Sequence, residues 1–326
     1  MNIDTFFCKE IHTKYHDDIT GRHEHFGFSM FKAQCCLNGT MYECERVFKN
    51  GRNGLYFKND HMENYAEHGF DIEGEDPRIF ILNETVYVIF ICLSPYENQN
   101  RCIGITKFDE WEPVFLQIED MDKNMVEKNW APFVKDDKIY FVYNYDPLII
   151  IHYDLNKDGI CRVVYTQDNC TLPFNTSETF LRGGSNLIHY RDGYYIGGCH
   201  SRIFKECFIH YTHFIVLDTN NWELVYVSKP VIYHYDLNNE LPCWWLSPGL
   251  MKKLDTMDNV LLDKSPHLIQ DPISFYCKNE IHYLTVNIRD CVTLLYEITF
   301  DDIMSMIQHG KPVGYYNCFI QDAISK

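Results

Sequence analysis

Four times along the chain a short polar run leads into two hydrophobic stretches divided by a tight polar break. Glu75-Asp76-Pro77-Arg78 precedes IFILNETVYVIFIC, and Glu127-Lys128-Asn129-Trp130 precedes APFVKDDKIYFVYNY. Arg182-Gly183-Gly184-Ser185 precedes NLIHYRDGYYIGGCH, and Gln270-Asp271-Pro272 precedes ISFYCKNEIHYLTVN. Short apolar runs rich in Ile, Val, Tyr and Phe, bounded by Asn, Asp, Gly and Pro, predict strands. The breaks at Asn83-Glu84, Asp136-Asp137, Arg191-Asp192 and Lys278-Asn279 predict the turns of four hairpins. HFGFSMFKAQCC, the turn Asn38-Gly39 and the alternating MYECERVF add a fifth.

The first copies are spaced by roughly 50 residues, a period that with several strands per repeat suggests propeller blades. The expected fold is all-β: a single five-bladed β-propeller domain over residues 1–326 with four-stranded blades. Its blades start near Phe26, Glu75, Glu127, Arg182 and Gln270, with CVTLLYEITF as the third strand of the last. Asp236 to Pro266 breaks the rhythm and reads as an insertion, either a lid over one channel mouth or structural padding. FDDIMSMIQH, with an Asp as N-cap and Gly310 behind it, predicts one short C-terminal helix packed on the propeller. In such a fold the innermost strands line an axis, so the repeated polar runs would meet at one pocket.

A chain of 326 residues that is 46% hydrophobic can bury a large core. A formal charge of −17 opposes binding to nucleic acid or an anionic membrane, since both partners are polyanions. Nowhere do ~18 apolar residues run together, and the first residues, MNIDTFFCKEIHTKYHDD, lack an apolar signal core. A cytoplasmic location without membrane contact is expected. The 14 cysteines fall mostly inside strands without a C-x-x-C pair, which reads as buried thiols rather than a disulfide framework or zinc site. Sequons at Asn38, Asn83, Asn169 and Asn175 read as chance matches in that setting. Phosphate-binding, dinucleotide-binding and nucleophile-elbow motifs are missing, and FIHYTHF does not read as a metal site.

Two constellations carry candidate chemistry. Asp76 and Asp271 each precede a proline at a strand start, an arrangement expected to hold Asp76 extended, and Asp290 follows a later strand. Paired carboxylates suit glycosyl transfer, where one protonates the leaving oxygen and another activates the acceptor. Asp-Pro can equally be a simple turn start. Arg78, Lys128, Arg182, His200, Arg202 and Arg289 lie near blade starts or strand ends. They suit a phosphate, or serve as ion-pair partners for Glu75, Asp76, Glu127, Asp271 and Asp290. Trp130, Tyr143, Trp244 and Trp245 are either sugar platforms or core.

At these residues the chain resembles the five-bladed β-propeller enzymes of glycoside hydrolase family 130 and the related β-1,2-mannosyltransferase-phosphorylases. EDPR at Glu75 to Arg78 resembles their catalytic blade entrance, and EKNWAPF at Glu127 to Phe133 their third-blade signature. RGGS, GGCH and YTHFIVLD, from Arg182 to Asp218, resemble the fourth blade, and NIRDCVTLL near Asp290 the fifth. The likeness runs from about Glu75 to Ile298. The first blade lacks a recognisable entrance, and LTVNIRD departs from the Gly-rich, tyrosine-bearing strand of the family.

The resemblance implies an inverting enzyme on β-mannosides or similar glycosides, by phosphorolysis or by transfer from a phosphorylated sugar donor, with no cofactor and no metal. Asp76 would be the proton donor; Lys128, Arg182 and His200 would bind phosphate. Glu75, Arg78, Glu127, Asn129, Trp130, Asp271 and Asp290 are the expected substrate contacts, and an oligosaccharide or sugar phosphate the expected partner. A hydrolase would need a second carboxylate, Glu127 or Asp290, roughly 6.5–9.5 Å from the first. A non-catalytic propeller binding glycan or protein remains the alternative from another class.

Overall fold

Two-residue turns organise this chain. In the computed structural model, residues 9–10, 28–49, 52–61, 72–93, 101–108, 110, 112–121, 128–156, 158–169, 179–204, 208–228, 270–288 and 292–309 are described. Positive φ occurs at both residues of Asn38-Gly39 (52°, 83°), Asn83-Glu84 (48°, 57°) and Asp136-Asp137 (49°, 56°). The same holds at Asp192-Gly193 (50°, 81°) and Asn279-Glu280 (52°, 66°). Left-handed φ at both central positions is the hairpin turn whose twist matches paired strands. Three turns fall where the pattern puts them. The other two lie one residue beyond Arg191-Asp192 and Lys278-Asn279; at the first, a left-handed site suits Gly193 better than Arg191.

Each turn opens an antiparallel meander. The two-residue strand β1 (Lys9–Glu10) comes first in the chain, followed by β2 (Phe28–Leu37), β3 (Thr40–Lys49), β4 (Arg52–Asn59) and β5 (Ile72–Glu73), which form one sheet. Next come β6 (Glu75–Leu82), β7 (Thr85–Leu93), β8 (Arg101–Lys107) and β9 (Val114–Ile118), then β10 (Ala131–Lys135), β11 (Lys138–Tyr145), β12 (Leu148–Tyr153) and β13 (Ile160–Thr166). A parallel contact, Ile160 to Gln117 and Cys161 to Ile118, joins these two meanders into one eight-stranded sheet.

The fourth meander holds β14 (Thr179–Arg182), β15 (Ile188–Arg191), β16 (Tyr194–Phe204), β17 (Phe208–Asp218) and β18 (Glu223–Val227). Here the expected single first strand is broken: β14 and β15 both pair with the long β16, on either side of Gly183-Gly184. The last sheet has β19 (Gln270–Lys278), β20 (Ile281–Ile288) and β21 (Val292–Ile298), and its outer strand is β1, with Lys9 opposite Glu297. The start of the chain thus completes the sheet built from its end.

Hydrophobic cores lie between consecutive meanders. Phe31, Ala33 and Leu55 pack with Ile79, Val88 and Phe90. Phe80, Ile89 and Ile103 pack with Trp130, Phe141 and Ile151. Phe133, Val142 and Ile150 pack with Leu187, Ile215 and Leu217, and Ile196, Phe214 and Val216 with Phe275, Leu284 and Val286. Ile273 of β19 joins the core of the first meander. β2 also lies against both β6 and β19, so the succession closes on itself. Sheets covered on both faces need apolar residues on both, which is why β7 is a nearly unbroken buried run.

The helix α1 (Phe300–His309) forms where predicted. Thr299, not an Asp, caps it: Asp302 N–H donates to Thr299 Oγ1 at 3.2 Å and Thr299 N–H to Asp302 Oδ2 at 3.0 Å. Its Ile303 is buried in the core shared by the fourth and last meanders. No helix among the described residues is long and apolar enough to cross a membrane. Asp236 to Pro266, Trp244 and Trp245 lie outside the described residues.

Candidate functional site

The polar runs at the starts of the meanders converge, and two glycines show how closely. A Cβ on Gly183 would fall inside the Asn129 carbonyl group, 2.6 Å from its carbon. A Cβ on Gly184 would overlap the Gly198 carbonyl and lie 2.6 Å from Pro272 Cγ. The Gly-Gly pair is therefore the contact point of three entrances, those at Asn129, Arg182 and Asp271. The fourth reaches the same place through Arg78, whose Nε–H donates to the Gly184 carbonyl.

Backbone irregularities aim the side chains. Asp76 lies at φ 53° inside a bulge between Glu75 and Arg78, so it is not held extended as expected. Phe31 (φ 51°) occupies a bulge of β2, Asn129 (φ 64°) precedes β10, and a further bulge separates Pro272 from Ser274. A bulge redirects a side chain out of strand alternation and is a frequent device beside active sites. A left-handed Phe is costly and persists only where packing enforces it.

Asp76 is half-buried, its side chain 20% exposed, and its Oδ1 accepts from Arg46 Nη1 at 2.8 Å. Arg46 also lies 3.2 Å from Glu75, donates from Nε to Asn53 at 2.9 Å, and sits over the Phe31 ring. Glu75 has a second cation, Arg101, at 2.7 Å. Arg46 belongs to β3, a strand without a polar signature, and it supplies the first meander's contribution that the sequence reading lacked.

Behind this pair, Arg78 is buried and its Nη1 donates to the Asp76 and Pro77 carbonyls, each at 3.0 Å. Burial pushes the guanidinium down from its ordinary value, while Asp76, Asp271 and Tyr145 act in the opposite sense. Arg78 thus ties backbone together at the centre, a structural duty beside the substrate contact expected of it. The hydroxyl of buried Tyr145 has no hydrogen-bond partner, and burial holds this phenol neutral.

Asp271 closes the site on the other side. His210 Nδ1 lies 2.9 Å from its Oδ1 and His200 Nδ1 lies 3.4 Å from the same oxygen. Burial raises the Asp271 carboxyl, but His210, His200 and Arg78 outweigh that and hold it well below the carboxylate range. His200 is 2% exposed, and burial pushes it down to about 3, against the pull of Asp271. At neutral pH it is therefore an uncharged ring, not the cation expected, and its Nδ1 makes no hydrogen bond. Arg182 stands directly opposite it in the strand register. His210, missed by the sequence reading, stacks on His200 with centroids 4.7 Å apart and planes at 20°.

His200, His210 and Asp271 bring three possible ligand atoms within 4.8 Å of one another. The two ring Nδ1 atoms already face one Asp271 oxygen, at 2.9 and 3.4 Å. Arg78 and Arg182 also bear on this cluster electrostatically, where a dication would be repelled. The arrangement suits hydrogen bonding to an uncharged or anionic group better than metal ligation.

Of the remaining candidates, Lys128 and Asn129 are half-buried beside the glycine contact. Trp130 is 1% exposed and packs against Phe141 and Tyr143 at 5.4 and 5.9 Å, so it is core and offers no face to a sugar. Glu127, Arg289 and Asp290 lie outside the described residues, as does the side chain of Arg202.

Comparison with known proteins follows the same lines. Residues 96–208 match the family model described as beta-mannosyltransferases. Beta-mannosyltransferase 2 of Komagataella phaffii is 33% identical over 122 residues, which is 35% of this chain and 18% of that protein. Beta-mannosyltransferase 3 of Candida albicans is 28% identical over 244 residues, 64% of this chain and 42% of that protein. The matches thus span less than half the length of these curated relatives. Among solved structures, the Listeria innocua β-1,2-mannobiose phosphorylase has a TM-score of 0.52 at 11% identity, covering 88% of this chain and 94% of its own. A family 130 structure, from work on hydrolases that target β-1,2-mannosidic linkages, has a TM-score of 0.53 at 10% identity, with 84% and 85% covered. A GDP-mannose-dependent mannosyltransferase from Leishmania mexicana has a TM-score of 0.51 at 11% identity, with 86% and 87% covered. The resemblance to the β-mannosyltransferases therefore holds in sequence over part of the chain, and the resemblance to the family 130 group in fold.

Proposed function

We propose that this chain, similar to β-mannosyltransferases in sequence and to family 130 enzymes in fold, is an inverting enzyme that moves a mannosyl unit between a phosphorylated donor and a β-linkage on a sugar acceptor. We read its five hairpin-led meanders as five four-stranded propeller blades, with the broken β14–β15 as the innermost strand of the fourth. The observation that carries the function is Asp76, redirected by its bulge, half-buried, and held by an arginine from the neighbouring blade.

In this reading Asp76 exchanges Arg46 for a hydroxyl of the bound sugar and handles the proton of the glycosidic oxygen. Arg46 then remains on Glu75, fixing that carboxylate as a sugar contact. Asn129 and Asp271 face the same point, and Asp271, held ionised by His210 together with His200 and Arg78, accepts from sugar hydroxyls. Arg182 and Lys128 supply the charge that a phosphate requires. Neutral His200 adds a hydrogen bond through its unsatisfied nitrogen, which a buried imidazole would otherwise leave unmade at a cost. Glu127 and Asp290 stay candidate sugar contacts, Glu127 also as an internal partner for Lys128.

Purified protein with GDP-mannose or mannose 1-phosphate and a panel of manno-oligosaccharides tests this directly. The expected result is donor-dependent chain extension, or its reverse when phosphate is added to an oligosaccharide, lost in Asp76→Asn. Equal oligosaccharide cleavage with no phosphate and no phosphorylated donor would make the protein a hydrolase and overturn the donor assignment. Glycan binding without turnover, unchanged in Asp76→Asn, would overturn the enzyme assignment.

A further inference from the structure

Behind the carboxylates just assigned, and taking no part in the sugar chemistry, two thiols face each other near one end of the β7–β8 pair. Cys92 of β7 stands directly opposite Cys102 of β8 in antiparallel register, with Sγ atoms 3.5 Å apart. Among the described cysteines no other two are directly opposed on neighbouring strands. Opposed residues of an antiparallel pair have Cα atoms about 4.5 or 5.5 Å apart, depending on the pair type. Both values fall within the roughly 4.4–6.8 Å that a disulfide spans, so bond formation needs side-chain rotation but no strand movement.

A glycine beside the pair accommodates the sulfur of Cys92. Gly104 lies on the next rung but one of β8, where a Cβ would approach Cys92 Sγ to 3.3 Å and Phe90 more closely still. Cys92 is buried and Cys102 half-buried, so an outside reagent meets Cys102 first. The hydrogen bond between the thiols holds Cys102 below the ordinary thiol range, against the effect of burial, and raises Cys92. That is the division of labour needed: an accessible thiol that ionises and a shielded one that resolves.

We propose that Cys92 and Cys102 form a redox-modification site that closes to a disulfide on exposure to a small disulfide such as oxidised glutathione. Cys102 thiolate attacks one sulfur of oxidised glutathione, breaking its S–S bond, and the first glutathione leaves as a thiolate that takes up a proton. Cys92 then loses its proton and attacks the mixed disulfide at Cys102, releasing the second glutathione. Two protein thiols and one small disulfide become one protein disulfide and two glutathione thiols. The bond fastens the last rungs of the hairpin, next to Arg101. Arg101 pairs with Glu75, and Glu75 stands opposite Ile91, the neighbour of Cys92. Oxidation therefore fixes the outer support of the Glu75–Arg46–Asp76 group.

The protein, incubated with oxidised glutathione, acid-quenched, alkylated and digested without reductant, should yield a peptide pair linked through Cys92 and Cys102. Reductant should abolish that pair. In Cys92→Ser, Cys102 should instead accumulate as the glutathione mixed disulfide. Both cysteines recovered alkylated while exposed Cys277 is glutathionylated would refute the proposal. So would either of them linked to a different cysteine. The wild-type map decides even if the variant does not fold.

Discussion

Replacing Gly183 by alanine tests the convergence of the strand entrances. The new methyl would lie 2.6 Å from the Asn129 carbonyl carbon and 3.3 Å from Asn129 Cβ. The first value falls about 0.8 Å short of the 3.4 Å at which ordinary contact begins. The obstructing atoms are backbone on both sides, so no rotamer change relieves the overlap. Overpacking typically costs ~1–3 kcal/mol, and a backbone-to-backbone clash belongs at the upper end. We expect about 3 kcal/mol, or a urea midpoint lowered by roughly 1 M for a slope near 3 kcal/mol/M. Gly39→Ala is the control: its Cβ meets nothing within 4 Å, and only the φ of +83° is unfavourable. That strain costs about 1–2 kcal/mol. Both variants are measured by urea unfolding followed by intrinsic fluorescence, with turnover assayed on the folded fraction. Gly183→Ala should lose more stability than the control and should lose turnover as Asn129 and Arg182 are pushed apart. A midpoint for Gly183→Ala equal to or above that of Gly39→Ala would show that the entrances do not meet as described.

Three further outcomes follow from particular contacts. Burial pushes His213 down to about 4, its ring held between Ser228 and Ser201. A depressed histidine is destabilising on the acid side, because only the unfolded chain takes up the proton. This share of stability is whole above about pH 6.5 and falls by roughly 3 kcal/mol by pH 4, so His213→Asn should flatten the slope of unfolding free energy over that window. Arg46→Lys removes the fork shared by Glu75 and Asp76 and should lower turnover about ten- to a hundredfold, whereas Arg101→Ala should have a far smaller effect; equal losses would contradict the central place given to Arg46. Trp130→Ala should cost about 3–5 kcal/mol as a core truncation, while Trp130→Phe keeps oligosaccharide affinity in calorimetry; a large affinity loss in the phenylalanine variant would restore the ring to the sugar site.

The strands and their turns were legible because period-two hydrophobic runs and left-handed turn residues are local signals. Asn83-Glu84 and Asp136-Asp137 could be placed from composition alone, and Gly193 was the overlooked cue that moves its turn by one residue. The candidate site's convergence was legible only where a polar run begins a strand, as at Asp76, Arg182 and Asp271. Arg46 and His210 reach it from second and third strands whose neighbours look ordinary, and only ring closure brings them in. His200 shows a different limit. Its residue type was visible, but the burial that removes its charge is a property of the packed site. The left-handed φ of Asp76 likewise arises from the bulge, where local reasoning from the following proline gave an extended residue. The outer strand β1 could not be read either, since its partner β21 lies at the other end of the chain.

Four of the five hairpin turns sit at the opposite end of their first strand from a polar entrance. A first strand such as β6 or β19 has eight or nine residues, and at about 3.3 Å per residue it separates its two ends by roughly 25 Å. The molecule therefore has a working face and a handling face. Asn38-Gly39, Asp136-Asp137 and Asp192-Gly193 offer places on the second where an affinity tag, a fluorophore or an attachment to a support would stand clear of the first. A protein immobilised through these turns would present its polar entrances outward, away from the surface that holds it.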